Sequence, residues 1–211
     1  MEELSILELA SKGGWIMGVL ALMSIVAVYI FVERFLAIRN AGKDDKLFMD
    51  RIRDYIKNND VKSAINFCRV TNTAAARIIE RGISRMGKPA AEIQAAIENT
   101  GDLEIAIMER RLPVLATIAG GAPMIGFLGT VIGMVEAFWQ MSNAGGNIDI
   151  SLLSSGIYQA MITTVGGLVV GIISLFAYNY LVAKVDSVVN EIEAKSLTFM
   201  DIISEEELIL R

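Results

Sequence analysis

Residues 112–135 read LPVLATIAGGAPMIGFLGTVIGMV, a run of 24 residues without one charged side chain. Residues 13–32 and 150–183 are two further uncharged runs, 20 and 34 residues long. A bilayer core about 30 Å thick needs roughly 20 apolar helical residues, so each run is long enough to cross a membrane. The sequence therefore predicts an all-α membrane protein with three transmembrane helices.

The remaining composition argues against several classes of protein. The 211 residues include no histidine, which excludes His-ligated metals, His-bound haem and Ser-His-Asp catalysis. The one cysteine, Cys68, has no partner for an internal disulfide or a thiolate metal site. The net charge of −5 argues against nucleic-acid binding. No nucleophile–base pair or phosphate-binding loop is recognisable, so we expect neither an enzyme nor a bound cofactor.

Lysine and arginine residues are distributed very unevenly between the apolar runs. Fifteen lie in residues 33–111 and three in 184–211, but residues 1–12 hold only one and 136–149 hold none. Basic residues stay on the cytoplasmic side of a membrane. The predicted layout is an outer N-terminus at 1–12, transmembrane helices at 13–38, 112–138 and 151–183, a cytoplasmic helical region at 39–111, a short outer loop at 139–150 and a cytoplasmic C-terminal helix at 184–211. The acidic N-terminus is unlike a signal peptide, so we expect the first span to remain in the mature chain.

Three polar breaks divide the predicted cytoplasmic region into helices. They are Asn58-Asn59-Asp60, Thr71-Asn72-Thr73 and Gly87-Lys88-Pro89, and Asp60 is placed to cap the helix that follows it. From Ala90 the helical pattern continues to Pro113, where it either stops or runs directly into the second span.

Spans two and three carry stripes of small and hydroxyl residues. Gly126, Thr130 and Gly133 share one face of span two. Ala160, Thr163, Thr164, Gly167 and Gly171 follow a similar spacing in span three. Small residues let helix backbones approach closely in lipid, so these faces are expected to meet other helices or a lumen. Packing within one subunit is an equally good explanation of the pattern. Pro123 in mid-span slightly favours contact with protein or water.

Two motifs carry a family resemblance. Residues 122–134, APMIGFLGTVIGM, resemble the A-P-L-L-G-L-L-G-T-V-x-G-M signature of the MotA/TolQ/ExbB proton-channel family. Residues 160–168, AMITTVGGL, with Tyr178-Asn179 after them, resemble that family's A-L-x-x-T-A-x-G-L…Y-N third span. The Glu33-Arg34 ending of span one also matches. A single span before the cytoplasmic region resembles the ExbB/TolQ branch.

The resemblance implies a homopentamer in the bacterial inner membrane. It implies that the pentamer encloses the single membrane helices of two copies of an ExbD/TolR-like partner, whose aspartate carries the proton. Spans two and three would then line the pore, with Thr130, Thr163, Thr164 and Gln159 along the proton pathway. Pro123, Gly126, Gly133, Gly167 and Gly171 would pack the helices around it. Proton flow would drive a TonB- or TolA-like protein in outer-membrane transport or Tol-type envelope work.

Gln159 departs from the family pattern, because many ExbB and TolQ sequences have a glutamate at this position. An amide only forms hydrogen bonds, whereas a carboxylate is able to relay protons. The protonatable group must then come from the partner, which we favour, or the function is altered.

Other charged residues each allow two interpretations. Glu136, after span two, is either an acid at the outer entrance or a solvated interfacial residue, which is the favoured reading. Arg110 and Arg111 either bind anionic lipid headgroups or simply follow the positive-inside rule. Glu33 and Arg34 are expected to be anchors at the lipid interface.

Two other functions compete with the channel motor. A non-conducting scaffold that gathers single-span partners would use the same small-residue faces. A substrate-carrying transporter is disfavoured, because such folds use repeated halves and broken helices that this sequence lacks.

Overall fold

The computed structural model describes residues 13–43, 47–143 and 150–209, and this part of the chain is helical without a β-strand. In chain order the helices are α1 (Gly14–Ala41), α2 (Phe48–Lys57), α3 (Val61–Thr71), α4 (Ala74–Ile83), α5 (Ala90–Glu109), α6 (Leu112–Asn143) and α7 (Ile150–Ile209). Stretches within α1, within α5–α6 and within α7 are long and apolar enough to cross a membrane. The prediction of an all-α membrane protein with three spans is confirmed.

The helices form two compact units. Among the described residues, the apolar unit contains 13–32, 111–143 and 150–180, and the charged unit contains 33–43, 47–110 and 181–209. Helices α1 and α7 contribute residues to both units. The first two uncharged runs and residues 150–180 of the third belong to the apolar unit, whereas most of the lysine and arginine residues belong to the charged unit.

The predicted breaks in the charged unit are confirmed. Asp60 caps α3 by accepting a hydrogen bond of 3.1 Å from the backbone N–H of Ser63. Hydrogen bonds from Ser63 also hold the pKa of Asp60 below its usual value. Asn72 ends α3 in the left-handed conformation, and Thr73 caps α4 through the N–H of Ala76 at 3.2 Å. Short polar side chains at these positions satisfy backbone groups that helix ends leave unpaired.

The core of the charged unit is made of large side chains. Phe199 of α7 is fully buried beside α4 and α5. A Cβ atom placed on Gly82 would overlap the Phe199 ring and lie 3.0 Å from Cδ1 of Ile97. Only glycine leaves room for the ring at that point. Fully or nearly fully buried isoleucines of α2, α4 and α5 also belong to this core, among them Ile52, Ile56, Ile78, Ile79, Ile83 and Ile93.

The helix that begins at Ala90 stops before span two. Helix α5 ends at Glu109, and Arg111 follows with a φ of 74°. Pro113 has no N–H to donate to the Glu109 carbonyl four residues earlier, so a continuous helix would lose a hydrogen bond there. In the first turn of α6 a missing N–H costs no hydrogen bond, because the first N–H groups of a helix have no acceptor within it. The structure therefore shows that the helix ends before span two and does not run directly into it.

Two helices extend past the predicted boundaries. Helix α6 continues to Asn143, so residues 139–143 of the expected outer loop are helical. Helix α7 runs without a break from Ile150 to Ile209, through the third span and into the predicted C-terminal helix. The predicted outer N-terminus at 1–12 and residues 144–149 of the loop lie outside the described residues.

Candidate functional site

The small-residue faces of α6 and α7 meet each other inside one chain. A Cβ atom placed on Gly126 would lie 2.7 Å from the carbonyl oxygen of Thr163 and 3.0 Å from Cα of Gly167. One placed on Gly167 would lie 2.5 Å from the carbonyl oxygen of Ala122. Such distances are shorter than a real Cβ tolerates, so any side chain at either glycine would push the two helices apart.

The same contact extends along both helices, and we call it the seam. Near Gly133, a Cβ atom would be 3.3 Å from both Cβ of Ala160 and the carbonyl oxygen of Gly156. At the other end, one on Gly171 would be 2.5 Å from Cγ of Pro123. The pairs run in opposite directions along the two chains, so α6 and α7 are antiparallel. All five residues predicted to pack the spans therefore lie in the seam of a single subunit.

Pro123 adds a polar feature to the seam. Because proline has no N–H, the carbonyl of Ala119 has no hydrogen-bond donor four residues later. That carbonyl oxygen lies 2.9 Å from the position of a Cβ on Gly171. The absence of a side chain at Gly171 lets the α7 backbone approach the freed carbonyl, where a weak Cα–H···O contact is favourable.

Two threonines of α7 donate hydrogen bonds across the seam to one carbonyl. The hydroxyl of Thr163 lies 2.7 Å from the carbonyl oxygen of Ala160 in its own helix and 3.2 Å from that of Gly126. The hydroxyl of Thr164 lies 3.3 Å from the same Gly126 oxygen. Thr163 is only 1% exposed, so its side chain is enclosed between α6 and α7. Thr164 is half-buried at the edge of the seam.

Thr130 lies at the same edge as Thr164. Successive residues of an α-helix are turned by about 100°, which places Thr130 about 60° from the centre of the α6 stripe. Thr164 is turned by a similar angle from the centre of the α7 stripe. Because the helices are antiparallel, these rotations bring both threonines to one side of the seam. Thr130 donates to the carbonyl of Phe127 at 2.6 Å and is half-buried.

Helix α1 covers the opposite side of the seam. Leu20 of α1 and Ala122 of α6 are buried in one apolar cluster. A Cβ placed on Gly166 would lie 3.0 Å from the sulfur of Met17, and one on Gly14 would lie 3.0 Å from Nε2 of Gln159. The structure therefore brings Thr130 and Thr164 together, encloses Thr163, and places Gln159 on the side of α7 next to α1.

Glu136 does not share the face of Thr130. Six residues separate them, which turns Glu136 by about 120° around α6. Its side chain is exposed. The structure thus places this carboxylate at the surface and away from the edge where Thr130 and Thr164 lie.

The charged residues near the end of span one are bonded within the charged unit. Arg34 forms an ion pair with Glu33 and donates from Nη1 to the carbonyl of Ile107 at 2.8 Å. That carbonyl is one of the last in α5, so the guanidinium satisfies a helix end. Arg34 is 7% exposed, which leaves little of it for lipid. Arg110 is exposed and Arg111 is half-buried.

The sequence reasoning missed one buried ion pair. Glu104 of α5 accepts from Nε of Arg77 at 2.6 Å and from Nη2 at 2.5 Å. These hydrogen bonds raise the pKa of Arg77. The available signal was the spacing of the buried face of α5, because Glu104 falls between Gly101 and Met108 among apolar positions. A carboxylate on such a face needs a cationic partner.

The described residues hold no group of three or more histidine, cysteine, aspartate or glutamate side chains suited to a metal ion. The seam itself is neutral. It offers hydroxyl oxygens, which are able to donate and accept hydrogen bonds, but no ionisable group near Thr130 and Thr164. Chemically, this edge suits contact with another polar group.

Comparison with known proteins gives consistent matches. Residues 70–194 match the sequence profile of the MotA/TolQ/ExbB proton channel family, which covers more than half of the chain. The chain is 29% identical to the Tol-Pal system protein TolQ of Haemophilus influenzae, over 88% of each protein. It is 28% identical to the biopolymer transport protein ExbB of Aquifex aeolicus, over 88% of this chain and 86% of the relative. A putative ExbB homolog of Methanothermobacter thermautotrophicus is 27% identical, over 90% and 67% respectively.

Proposed function

The chain belongs to the MotA/TolQ/ExbB proton channel family, in its ExbB/TolQ branch, and from that premise we propose that it is one subunit of a proton-driven motor in the bacterial inner membrane. The family is one of channels rather than enzymes. In this proposal several copies surround the single membrane helices of a small ExbD/TolR-like partner, in a pentamer as the family resemblance implies. Proton flow past the partner is passed as movement to a TonB- or TolA-like protein.

One observation carries the proposal: Thr130 and Thr164 share the edge of the seam that α1 leaves uncovered. Polar side chains on the outer face of a membrane helix usually contact protein or water instead of lipid. Each hydroxyl proton bonds a carbonyl in the same chain, while the oxygen keeps lone pairs that accept a hydrogen bond. A partner's protonated carboxyl group is a suitable donor.

Proton transfer to and from the partner's acid depends on the free-energy cost of a charged group inside the membrane. A carboxylate is costly in mid-bilayer, so an acid on the partner helix stays protonated while it faces lipid-like surroundings. A ring of hydroxyl groups, one pair from each copy, would stabilise either protonation state and hold a few waters. One charge crossing 100 mV releases about 2.3 kcal/mol, which is sufficient to bias a movement of the partner.

The close packing of the seam favours a role in which α6 and α7 keep fixed positions relative to each other. The glycine contacts of α6 with α7 have no spare space, and two threonine hydroxyls bond across them. Close packing of this kind resists deformation. We therefore assign the movement to the partner helices, while the copies of this chain form the stationary ring.

The experiment measures proton flux in liposomes that contain this chain and a co-purified single-span partner. We expect the double variant Thr130→Val/Thr164→Val to lose at least nine-tenths of the flux while the complex keeps its native mass. Thr117→Val is the matched control, because Thr117 is also on α6, bonds the carbonyl of Pro113 at 2.8 Å, and faces away from the seam. Unchanged flux in the double variant would contradict the proposed role of the two threonines.

The non-conducting scaffold remains the second candidate. It is favoured by the lack of a carboxyl side chain in the uncharged stretches 112–135 and 150–183, which hold Thr130 and Thr164, because a polar edge without an acid can hold a partner helix and relay no proton itself. The wild-type complex separates the two functions. Five copies that retain a partner but pass no protons across a membrane potential would support the scaffold, whereas measurable flux that the partner's membrane acid controls would support the motor.

The pathway served is tested in cells. Relatives named for biopolymer transport and for the Tol-Pal system both match this chain. Loss of energy-dependent uptake after deletion, with an intact envelope, would assign outer-membrane transport. Leakage of periplasmic proteins with normal uptake would assign Tol-type work.

A further inference from the structure

Helix α5 of the charged unit has two open flanks. On one flank lies a groove of about 470 Å³ between α5 and residues 189–200 of α7. Its floor is apolar and includes Ile97, Ile105 and Val189. Glu98, Asp102 and Glu193 lie along its sides, and none of them has a cationic partner among the described residues. We call this surface the acidic groove.

The other flank of α5 faces the arginines of α3 and α4. Arg69 pairs with Glu80 at 2.7 Å, and Arg77 pairs with the buried Glu104. Arg81 and Arg85 line the same cleft, and neither guanidinium has a carboxylate partner in the described part of the chain. We call this surface the arginine cleft.

Exposed apolar side chains accompany the arginine cleft. Leu103 of α5 lines the cleft and is 65% exposed, and Val70 of α3, next to Arg69, is 76% exposed. Large apolar side chains with this exposure, beside unpaired arginines, are typical of a surface that another protein covers. Leu197 of α7, which lines the acidic groove, is likewise 68% exposed.

The two surfaces lie on opposite sides of one helix. Glu98 and Leu103 are five residues apart, which corresponds to about 140° around α5. The buried face of α5, with Ile93 and Glu104, lies between them. A contact between the acidic groove of one copy and the arginine cleft of another is therefore head to tail. Such a contact repeats from copy to copy, because each copy keeps one free surface of each kind.

We propose that copies of this chain associate through their charged units, with the arginine cleft of one copy seated on the acidic groove of the next. The observation that selects a second copy as the occupant is the complementarity of the two surfaces in charge and in apolar area. This inference rests on the proposed function in one respect, since it supplies an interface for the proposed ring. It goes further by naming the residues that join the copies outside the apolar unit.

The first test uses cysteine crosslinking in the full-length complex in mild detergent. Cys68 is fully buried, and burial raises the pKa of its thiol to about 12, so the native cysteine is silent toward a bismaleimide. Asp102→Cys and Arg81→Cys place one thiol on each surface. We expect neither variant alone to crosslink, a co-expressed mixture to give dimers, and the double variant to give a ladder up to the full ring.

The crosslinking pattern distinguishes a head-to-tail contact from a symmetric contact of like surfaces. A symmetric contact of like surfaces would crosslink Asp102→Cys, or Arg81→Cys, to a second copy of the same variant. Dimers from either single variant, or no ladder from the double variant, would overturn the head-to-tail contact.

The second test reverses charges. We expect Arg81→Glu/Arg85→Glu to lower the fraction of assembled complex at least tenfold, and Glu98→Arg/Asp102→Arg to do the same. Combining all four changes in one chain should restore assembly, because the charges are opposite again. Lys43→Glu/Lys57→Glu is the matched control, since both lysines are exposed and lie outside the two surfaces.

The outcomes separate this inference from the proposed function. Variants that assemble normally and conduct protons would overturn the interface and leave the motor intact. Loss of co-purified anionic lipid with unchanged mass would assign the arginine cleft to headgroups and also overturn the interface. A wild-type chain that is monomeric in membranes would contradict both proposals.

Discussion

The apolar unit and the charged unit are both helical, but the helices within each unit pack through side chains of opposite size. In the apolar unit the smallest residues form the contact, and α6 and α7 approach until Gly126 and Gly167 touch through their backbones. In the charged unit the largest residues form it, and the Phe199 ring fills the space beside Gly82.

The difference follows from the solvent that each unit faces. Water drives large apolar side chains together, so a core of isoleucine and phenylalanine is stable in the charged unit. Lipid supplies no such drive, because the tails are as apolar as the side chains. Helices in lipid gain mainly from close packing and from hydrogen bonds, as with Thr163 and Thr164 on the Gly126 carbonyl. The two units should therefore be most sensitive to different substitutions: the apolar unit to added volume in the seam, and the charged unit to lost volume in its core.

The largest effect is expected from adding volume in the apolar unit. Gly126→Leu should separate α6 from α7 and abolish the assembled complex, because backbone atoms of α7 occupy the space of the new side chain. Gly120→Leu is the control in the same helix, since nothing lies within 4 Å of a Cβ placed there. Native mass after purification measures both. Normal assembly of Gly126→Leu would show that the seam is not closely packed.

The next largest effect is expected from removing volume in the charged unit. Phe199→Ala should lower the free energy of unfolding by about 3–5 kcal/mol, the usual cost of a large cavity in a core. Ile107→Ala, in α5 and outside both the acidic groove and the arginine cleft, should change it by less than about 1 kcal/mol because its side chain is 58% exposed. Thermal unfolding followed by circular dichroism measures the difference. Equal effects of the two substitutions would contradict the assignment of Phe199 to the core.

The smallest effect is a pH dependence of the charged unit. Burial, with a contribution from Glu80, raises the pKa of Cys68 from 9.0 to about 12. The folded state therefore keeps the thiol proton that the unfolded chain loses above pH 9, and stability falls as the pH rises through this range. At pH 10 the loss should be about 1 kcal/mol relative to pH 8.

The variant Cys68→Ala isolates the contribution of this thiol to the pH dependence of stability. The fall in stability between pH 8 and pH 10 should be smaller in the variant by that amount, whatever its overall stability. Chemical unfolding at several pH values measures it. An identical pH dependence in the two proteins would show that water reaches the thiol in the folded state.

Local features of this chain were predictable because each depends on a few neighbouring residues. The uncharged runs, the cap at Asp60 and the break at Thr71-Asn72-Thr73 were predicted from residue type and spacing, and the structure adds that Asn72 is left-handed and that Thr73 caps α4. The Arg77–Glu104 pair was not predicted, because its partners are on different helices. The partner of Glu104 is known only when α4 and α5 are placed side by side.

The candidate site also has features that were predictable from the sequence and features that were not. The sequence by itself determined that the chain crosses a membrane, which family it resembles, and that Gly126, Thr130, Thr163 and Thr164 belong to small polar stripes. Those properties depend on hydropathy and on helical spacing, which the order of residues specifies.

Only the tertiary structure decided which neighbour each stripe meets. Thr163 and Thr164 are adjacent in sequence, yet one is enclosed in the seam and the other lies at its edge with Thr130. Gln159 points to α1 instead. A rotation of about 100° between successive residues separates these environments, and the position of α1 determines which side of the seam remains uncovered.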